Sequence, residues 1–113
     1  FSAVGPFVCS LVAAEEAFDS AERHFDDPRG GHNGPGDAYR HCLASCLISS
    51  MVSDKWAKLL GDMNERQDQG PDDEYCMDQH NNEKGRELGQ RPDVDCSLAC
   101  LAGTQDGTLQ NHP

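Results

Sequence analysis

The chain has 113 residues, which suits one domain built round a single modest core. Only 36% of it is hydrophobic and 6% aromatic, so that core is thin and covalent cross-links would help it. A formal net charge of −11 argues against a nucleic-acid surface and against electrostatic adhesion to anionic lipid. Neutral or cationic substrates and hard cations stay open. No apolar run reaches the length of a membrane span. Residues 1 to 12 are mildly apolar but lack the basic start of a signal peptide. The absent initiator Met points to a processed chain or an excised domain.

The first helix is expected over residues 7 to 24. Val8, Leu11, Val12, Ala14, Phe18, Ala21 and Phe25 give it a stripe for burial, with Glu15, Glu16, Asp19, Glu22 and Arg23 on the other side. Residues 26 to 36, DDPRGGHNGPG, carry glycines and two prolines and read as a loop, in which His32 is the side chain with catalytic potential. Asp37 is the expected N-cap of a second helix running to Met51. That helix is apolar nearly all round, so it should be central. Ser53 is the expected N-cap of a third helix, Asp54 to about Glu65, buried through Trp56, Leu59, Leu60 and Met63. An acidic loop, QDQGPDDE, leads to a fourth helix that ends near Leu88 with Gly89 as its cap. A short fifth helix is expected from Asp93 to Leu101, stopped by Gly103. Residues 1 to 103 form the domain and 104 to 113 read as a loose tail. Nothing alternates in strand fashion, so the fold class is all-α, a small bundle of four to five helices.

Six cysteines in so short a chain point to an oxidising compartment. Cys42 and Cys46 are spaced i and i+4, as are Cys96 and Cys100, so each pair lies on one helix face. Two such helices packed antiparallel can be joined by Cys42–Cys100 and Cys46–Cys96. Cys9 and Cys76 then remain for a third bridge between the first and fourth helices. A four-thiolate zinc site is the competing reading, but zinc knuckles favour C-x2-C in loops, so disulfides are preferred.

Two helix faces hold most of the chemistry. Asp37, Arg40 and His41 fall at i, i+3 and i+4, and Asp78, Asn81, Asn82 and Arg86 at i, i+3, i+4 and i+8. A polar trio at the start of a buried helix is costly unless its members are partnered. If the two faces oppose, the site gathers two carboxylates, two guanidinium groups, an imidazole and two amides. His80 points roughly the other way. Solvated charge pairs on exposed helices are the plain alternative.

DAYRH at 37 to 41 and MDQHNNEKGRELG at 77 to 89 resemble a family of uncharacterised bacterial domains found at the C-terminal ends of secreted polymorphic toxins and effectors. The family pattern is DAxRH, a His-Glu pair, then MDxHNNxxGRxxG, and the likeness covers roughly residues 10 to 90. GDMNERQ occupies the His-Glu position, with Asn64 in place of the histidine and Glu65 retained. The resemblance implies a secreted antibacterial domain that acts in the periplasm or extracellular space, a cell-envelope substrate and a cognate immunity protein.

The expected activity is hydrolysis of an envelope component, with peptidoglycan preferred, by general acid–base catalysis. Glu65 or His41 would exchange the proton, and Asp37 or Asp78 would orient the imidazole or activate water. Arg40 and Arg86 would bind an oxyanion or hold the carboxylates. Asn81, Asn82, His80 and His32 would contact substrate. A second reading is a calcium-dependent phospholipase-like enzyme. The glycine-rich loop, the helix carrying His41 and the disulfide-linked helices echo the layout of small secreted phospholipases A2, although Cys42 follows His41 where those enzymes carry aspartate. A third reading is a non-enzymatic, disulfide-rich inhibitor or adhesion module. No cofactor is firmly implied. A divalent cation is the candidate, either calcium at the acidic loop or zinc through His32, His41 and His80.

Overall fold

The computed structural model describes residues 4–25, 34–67 and 72–110. Five helices follow in order: α1 (Val4–His24), α2 (Pro35–Met51), α3 (Asp54–Gln67), α4 (Asp72–Gly89) and α5 (Cys96–Asp106). No strand occurs among the described residues, and two disulfides staple the all-α fold. No described helix is long and apolar enough to cross a membrane.

The second helix is central, as its all-round apolarity predicts: α1, α3, α4 and α5 all pack on it. It starts two residues before Asp37. Gly34 is the N-cap and offers no side-chain bond, Pro35 sits at the first helical position, and Asp37 lies inside the first turn. There the helix dipole favours a carboxylate. Tyr39 is fully buried, and its hydroxyl lies 2.6 Å from Ser20 Oγ and 2.8 Å from Ser97 Oγ, which ties α1, α2 and α5 together.

Cys42–Cys100 and Cys46–Cys96 join α2 to α5 in antiparallel order, with Cα–Cα distances of 5.8 Å. The third bridge does not form, because Cys9 and Cys76 are free thiols. Both α1 and α4 rest on α2, and they make little direct contact with each other, so the thiols are not brought together.

The face of α1 that turns inward is its small-residue face: Ser10, Ala13, Ala17, Ser20 and Ala21 are buried. Leu11, Val12 and Phe18, expected in the core, are exposed at 56%, 54% and 37%. Small residues let the helix backbones approach closely, which the larger stripe would prevent. On α3 the expected Ser53 cap is present, its Oγ accepting from Trp56 N at 3.0 Å. Leu59 and Met63, however, stand largely exposed.

Helix α4 runs parallel to α2, since matched contacts advance along both. His41 meets Asp78 and Asn82, Cys42 and Ser45 meet Gly85, and Cys46 and Ser49 meet Gly89. A Cβ at Gly85 would lie 2.9 Å from Ser45 Cβ and would collide with the Cys42 carbonyl oxygen, and one at Gly89 would lie 2.7 Å from Ser49 Cβ. Only glycine permits this approach. Gly89 is therefore a packing residue within the helix rather than its cap. Helix α3 packs antiparallel on α4, through Asp54 with Arg86, Asp62 with Gln79, and Gly61 beside Asn82.

The C-terminal segment also differs from the expected loose tail. Asp93 has a positive φ of 55° in a turn, and Asp95 caps α5 by accepting from Leu98 N at 3.1 Å. Gly103 does not stop the helix. It leaves room for Leu109, which is 3% exposed, and the left-handed Gly107 ends α5.

Candidate functional site

The parallel pairing of α2 and α4 sets two polar half-sites against each other. From α2 come Asp37 and His41, one turn apart. From α4 come Asp78 and Asn82, also one turn apart. The His41 ring stands between them, its Nε2 3.7 Å from Asp37 Oδ2 and 3.5 Å from Asp78 Oδ1. Its Nδ1 lies 3.2 Å from Asn82 Oδ1. A carbonyl oxygen only accepts, so Nδ1–H donates to Asn82, and Nε2 is left as the atom where a proton comes and goes. Arg40 Nη2 donates to Asp37 Oδ1 at 2.7 Å. All four groups other than Arg40 are buried or nearly so, where the carboxylates act on the ring through a low dielectric.

This geometry stabilises an imidazolium once Nε2 has taken a proton, because two carboxylates face it. It also fixes the ring plane through Asn82. Asp37, His41 and Asp78 each offer one ligand atom, all within 4.8 Å of one another. Among the described residues these three are thus the set that could hold a divalent cation, in a mixed imidazole and carboxylate environment. The zinc trio read from the sequence is not assembled in this way. His80 turns to the C-terminal segment and donates from Nε2 to Thr108 O at 2.9 Å, and His32 lies outside the described residues. The acidic-loop calcium site, residues 67 to 74, also falls almost wholly outside the described side chains.

The other expected site residues divide similarly. Asn81 is fully buried but faces away from His41. Its Nδ2 donates to Gln110 O at 2.9 Å and its Oδ1 accepts from Gln110 N at 2.8 Å, so it pins the C-terminal segment. Arg86 points to α3, with Nε 3.7 Å from Asp54 Oδ1. Glu65 belongs to α3, and its side chain lies outside the described ones. The structure therefore brings together Asp37, Arg40, His41, Asp78 and Asn82, and it places Asn81, His80 and Arg86 elsewhere.

Sequence reasoning missed the cavity that leads to this cluster. A groove of about 400 Å³ runs between α1, α2 and α3 and reaches Arg40, His41 and Asn82 at its polar end. Leu11, Ala14, Ala44, Ile48, Leu60 and Met63 supply most of its apolar wall. The signal in the sequence was the surplus of apolar residues on α1: Leu11 was assigned to the core when it forms a wall.

No curated protein and no solved structure matches the chain. A family model does match, over residues 4–97, which span every described element from α1 to the start of α5. The chain belongs to the family described as a domain of unknown function, DUF6973.

Proposed function

We propose that the domain is a secreted antibacterial effector that hydrolyses a component of the bacterial cell envelope. The observation that carries this reading is the convergence of Asp37, His41 and Asp78 from two helices, with His41 itself lining an open groove. Nε2 of His41 takes the proton of an attacking water, and the two carboxylates hold the resulting charge. The proton then passes to the leaving group. Asn82 keeps the ring in the working tautomer, as the third member of a nucleophile–base–orienter chain does elsewhere. The two disulfides suit an oxidising compartment such as the periplasm. Peptidoglycan is the substrate preferred from the sequence, and a lipid ester is the alternative.

A non-catalytic module is the competing reading, and a specific observation favours it. Asn81, Gly85 and Gly89, three of the eight fixed positions of the second motif, have packing roles that need no chemistry. Directed expression in bacteria separates the two. The wild type and a His41→Ala, Asp78→Ala double variant are sent to the cytoplasm and, separately, to the periplasm. Lysis from the periplasm alone, lost in the variant while folded protein persists, is the expected result, and released muropeptides or lipids name the bond. Absence of toxicity in both compartments, with a destabilised variant, would leave a structural module.

A further inference from the structure

We infer that the groove between α1, α2 and α3 is an acyl-chain site, and that the bond hydrolysed at His41 is the carboxylic ester of an amphiphile. This rests on the hydrolase reading above and names its substrate class. The cavity, about 400 Å³, has the size of a small-molecule site, and its wall is mainly aliphatic. Among the described residues, and apart from the hydroxyls of Ser10 and Ser45, its polar side chains are Arg40, His41 and Asn82. A glycan or peptide strand needs hydrogen-bond partners along its length, and the described wall is chiefly aliphatic instead. A ligand that is apolar for most of its length and polar at one end matches the lining.

The surroundings point the same way. Leu11 and Met63 line the groove and are also 56% and 45% exposed, so the apolar wall continues onto the surface. Val12, next to Leu11, and Leu59, one helical turn before Met63, are exposed as well. Exposed apolar patches of this kind mark sites for lipid or other apolar ligands. Arg40 lines the same cavity and gives a cation for an anionic group on the ester's polar end. The net charge of −11 opposes adsorption to anionic bilayers, so zwitterionic or neutral amphiphiles are favoured.

The reaction is a plain hydrolysis. Water oxygen bonds to the ester carbonyl carbon as its proton moves to His41 Nε2. The tetrahedral intermediate then expels the alkoxide, the carbon–oxygen ester bond breaks, and the imidazolium returns the proton to it. The products are a fatty acid and an alcohol, with no change of oxidation state.

Two measurements test the site on the full chain with its disulfides intact. The first is kcat/KM for p-nitrophenyl acetate and p-nitrophenyl decanoate, and for phosphatidylcholine vesicles with and without calcium. The second is titration with decanoate, read by Trp56. It is the sole tryptophan and packs beside the groove residues Ile48, Ala57 and Leu60. The decanoate ester should be favoured at least about tenfold, since even single methylenes in an apolar pocket can be worth that much. Ala14→Phe, at an exposed position on the groove wall, should flatten this chain-length preference and weaken decanoate binding. Leu98→Ala, an exposed apolar position on α5, should leave both unchanged. Muropeptide release with no chain-length preference and no decanoate binding would overturn the acyl site and leave the hydrolase standing. Decanoate binding that Ala14→Phe abolishes, without hydrolysis of any ester, would support the site and sink the hydrolase.

Discussion

Gly85→Ala puts two opposing effects against each other at the α2–α4 contact. In an exposed helix, alanine would add about 1 kcal/mol of helix propensity over glycine. Here the added Cβ would lie 2.9 Å from Ser45 Cβ and would also overlap the Cys42 carbonyl oxygen. Carbon atoms at rest sit about 3.5–4.0 Å apart, so α4 must withdraw by about 0.6 Å or more. The carbonyl belongs to the α2 backbone and cannot rotate aside. Overpacking of this kind costs about 1–3 kcal/mol. Two clashes, one of them with backbone, place the cost at the upper end of that range, about 2–3 kcal/mol, so clash outweighs propensity and the net loss should be about 1–2 kcal/mol, or about 5–15 °C in Tm for a domain of this size. The same withdrawal pulls Asp78 and Asn82 from His41, so activity should fall by more than the unfolded fraction explains. Gly61→Ala is the internal control. Among the described residues its Cβ would meet the Asn82 side-chain amide at 3.3 Å, a contact that a small shift relieves, so propensity prevails and the variant should be as stable as wild type or up to about 1 kcal/mol more so. Urea denaturation under non-reducing conditions reads both. A Gly85→Ala variant as stable as wild type, or more so, would refute the close parallel packing of α2 and α4.

Three further outcomes follow from the structure. The bridges Cys42–Cys100 and Cys46–Cys96 are nested, so the inner one closes little extra loop once the outer one exists. Replacing Cys46 and Cys96 by alanine should cost about 1–2 kcal/mol, while removing both bridges should cost at least about 4 kcal/mol by denaturant titration; a single loss equal to half of the double loss would show the bridges act independently. Asn81→Ala removes the two bonds from Asn81 to Gln110 and should cost about 1–3 kcal/mol, with the Gln110 amide losing hydrogen-exchange protection; retained protection would mean that contacts other than Asn81 anchor the segment. The hydrogen bond from Lys58 holds the Asp62 carboxyl below its ordinary range, helped by Gln79 and opposed by partial burial. A depressed carboxyl stabilises the fold above its unfolded value and loses that effect as pH falls through the folded one. Lys58 is exposed and Asp62 half-buried in an i,i+4 pair on the helix surface, so Asp62→Asn should cost only about 0.3–0.5 kcal/mol near neutral pH and nothing in strong acid, and a difference that persists there would point to packing instead.

Much of the architecture is legible in the residues, for reasons that are local. Helix α2 announces its place because almost every position on it is apolar. The C-x3-C pairs name their own partners because i and i+4 share a face. Half of the site follows from the same rule: Asp37 with His41, and Asp78 with Asn82. The adjacent Asn81 was grouped with them, yet successive helix positions turn by about 100°, and only one of the two asparagines could face His41. What stayed hidden depends on partners distant in the chain. Helix α1 has an apolar stripe and a small-residue stripe, and hydropathy favours the wrong one. Close approach to α2 selects Ala13, Ala17 and Ala21 and leaves Leu11 to form the groove. Gly89 and Gly103 looked like helix stops because glycine usually is one. Ser49, which takes the space of a Gly89 side chain, lies far away in sequence, and Leu109, which takes that of a Gly103 side chain, lies beyond the turn that ends α5. The motif that looked purely chemical is in large part the surface on which two helices meet.

The bridges from α2 to α5 also make a closed ring. The segment between Cys46 and Cys96 holds all of α3 and α4, and both of its ends are covalently tied to the same helix pair. A single cut anywhere in that segment leaves the molecule in one piece, with no change of mass beyond one water. Two cuts flanking α4 free a fragment that carries Asp78 and Asn82, held only by non-covalent contacts with α2, α3 and the C-terminal segment. The remaining part keeps Asp37, Arg40 and His41. The two halves of the site are thus divisible by chain topology, and a synthetic α4 added to the nicked remainder is a direct way to rebuild it.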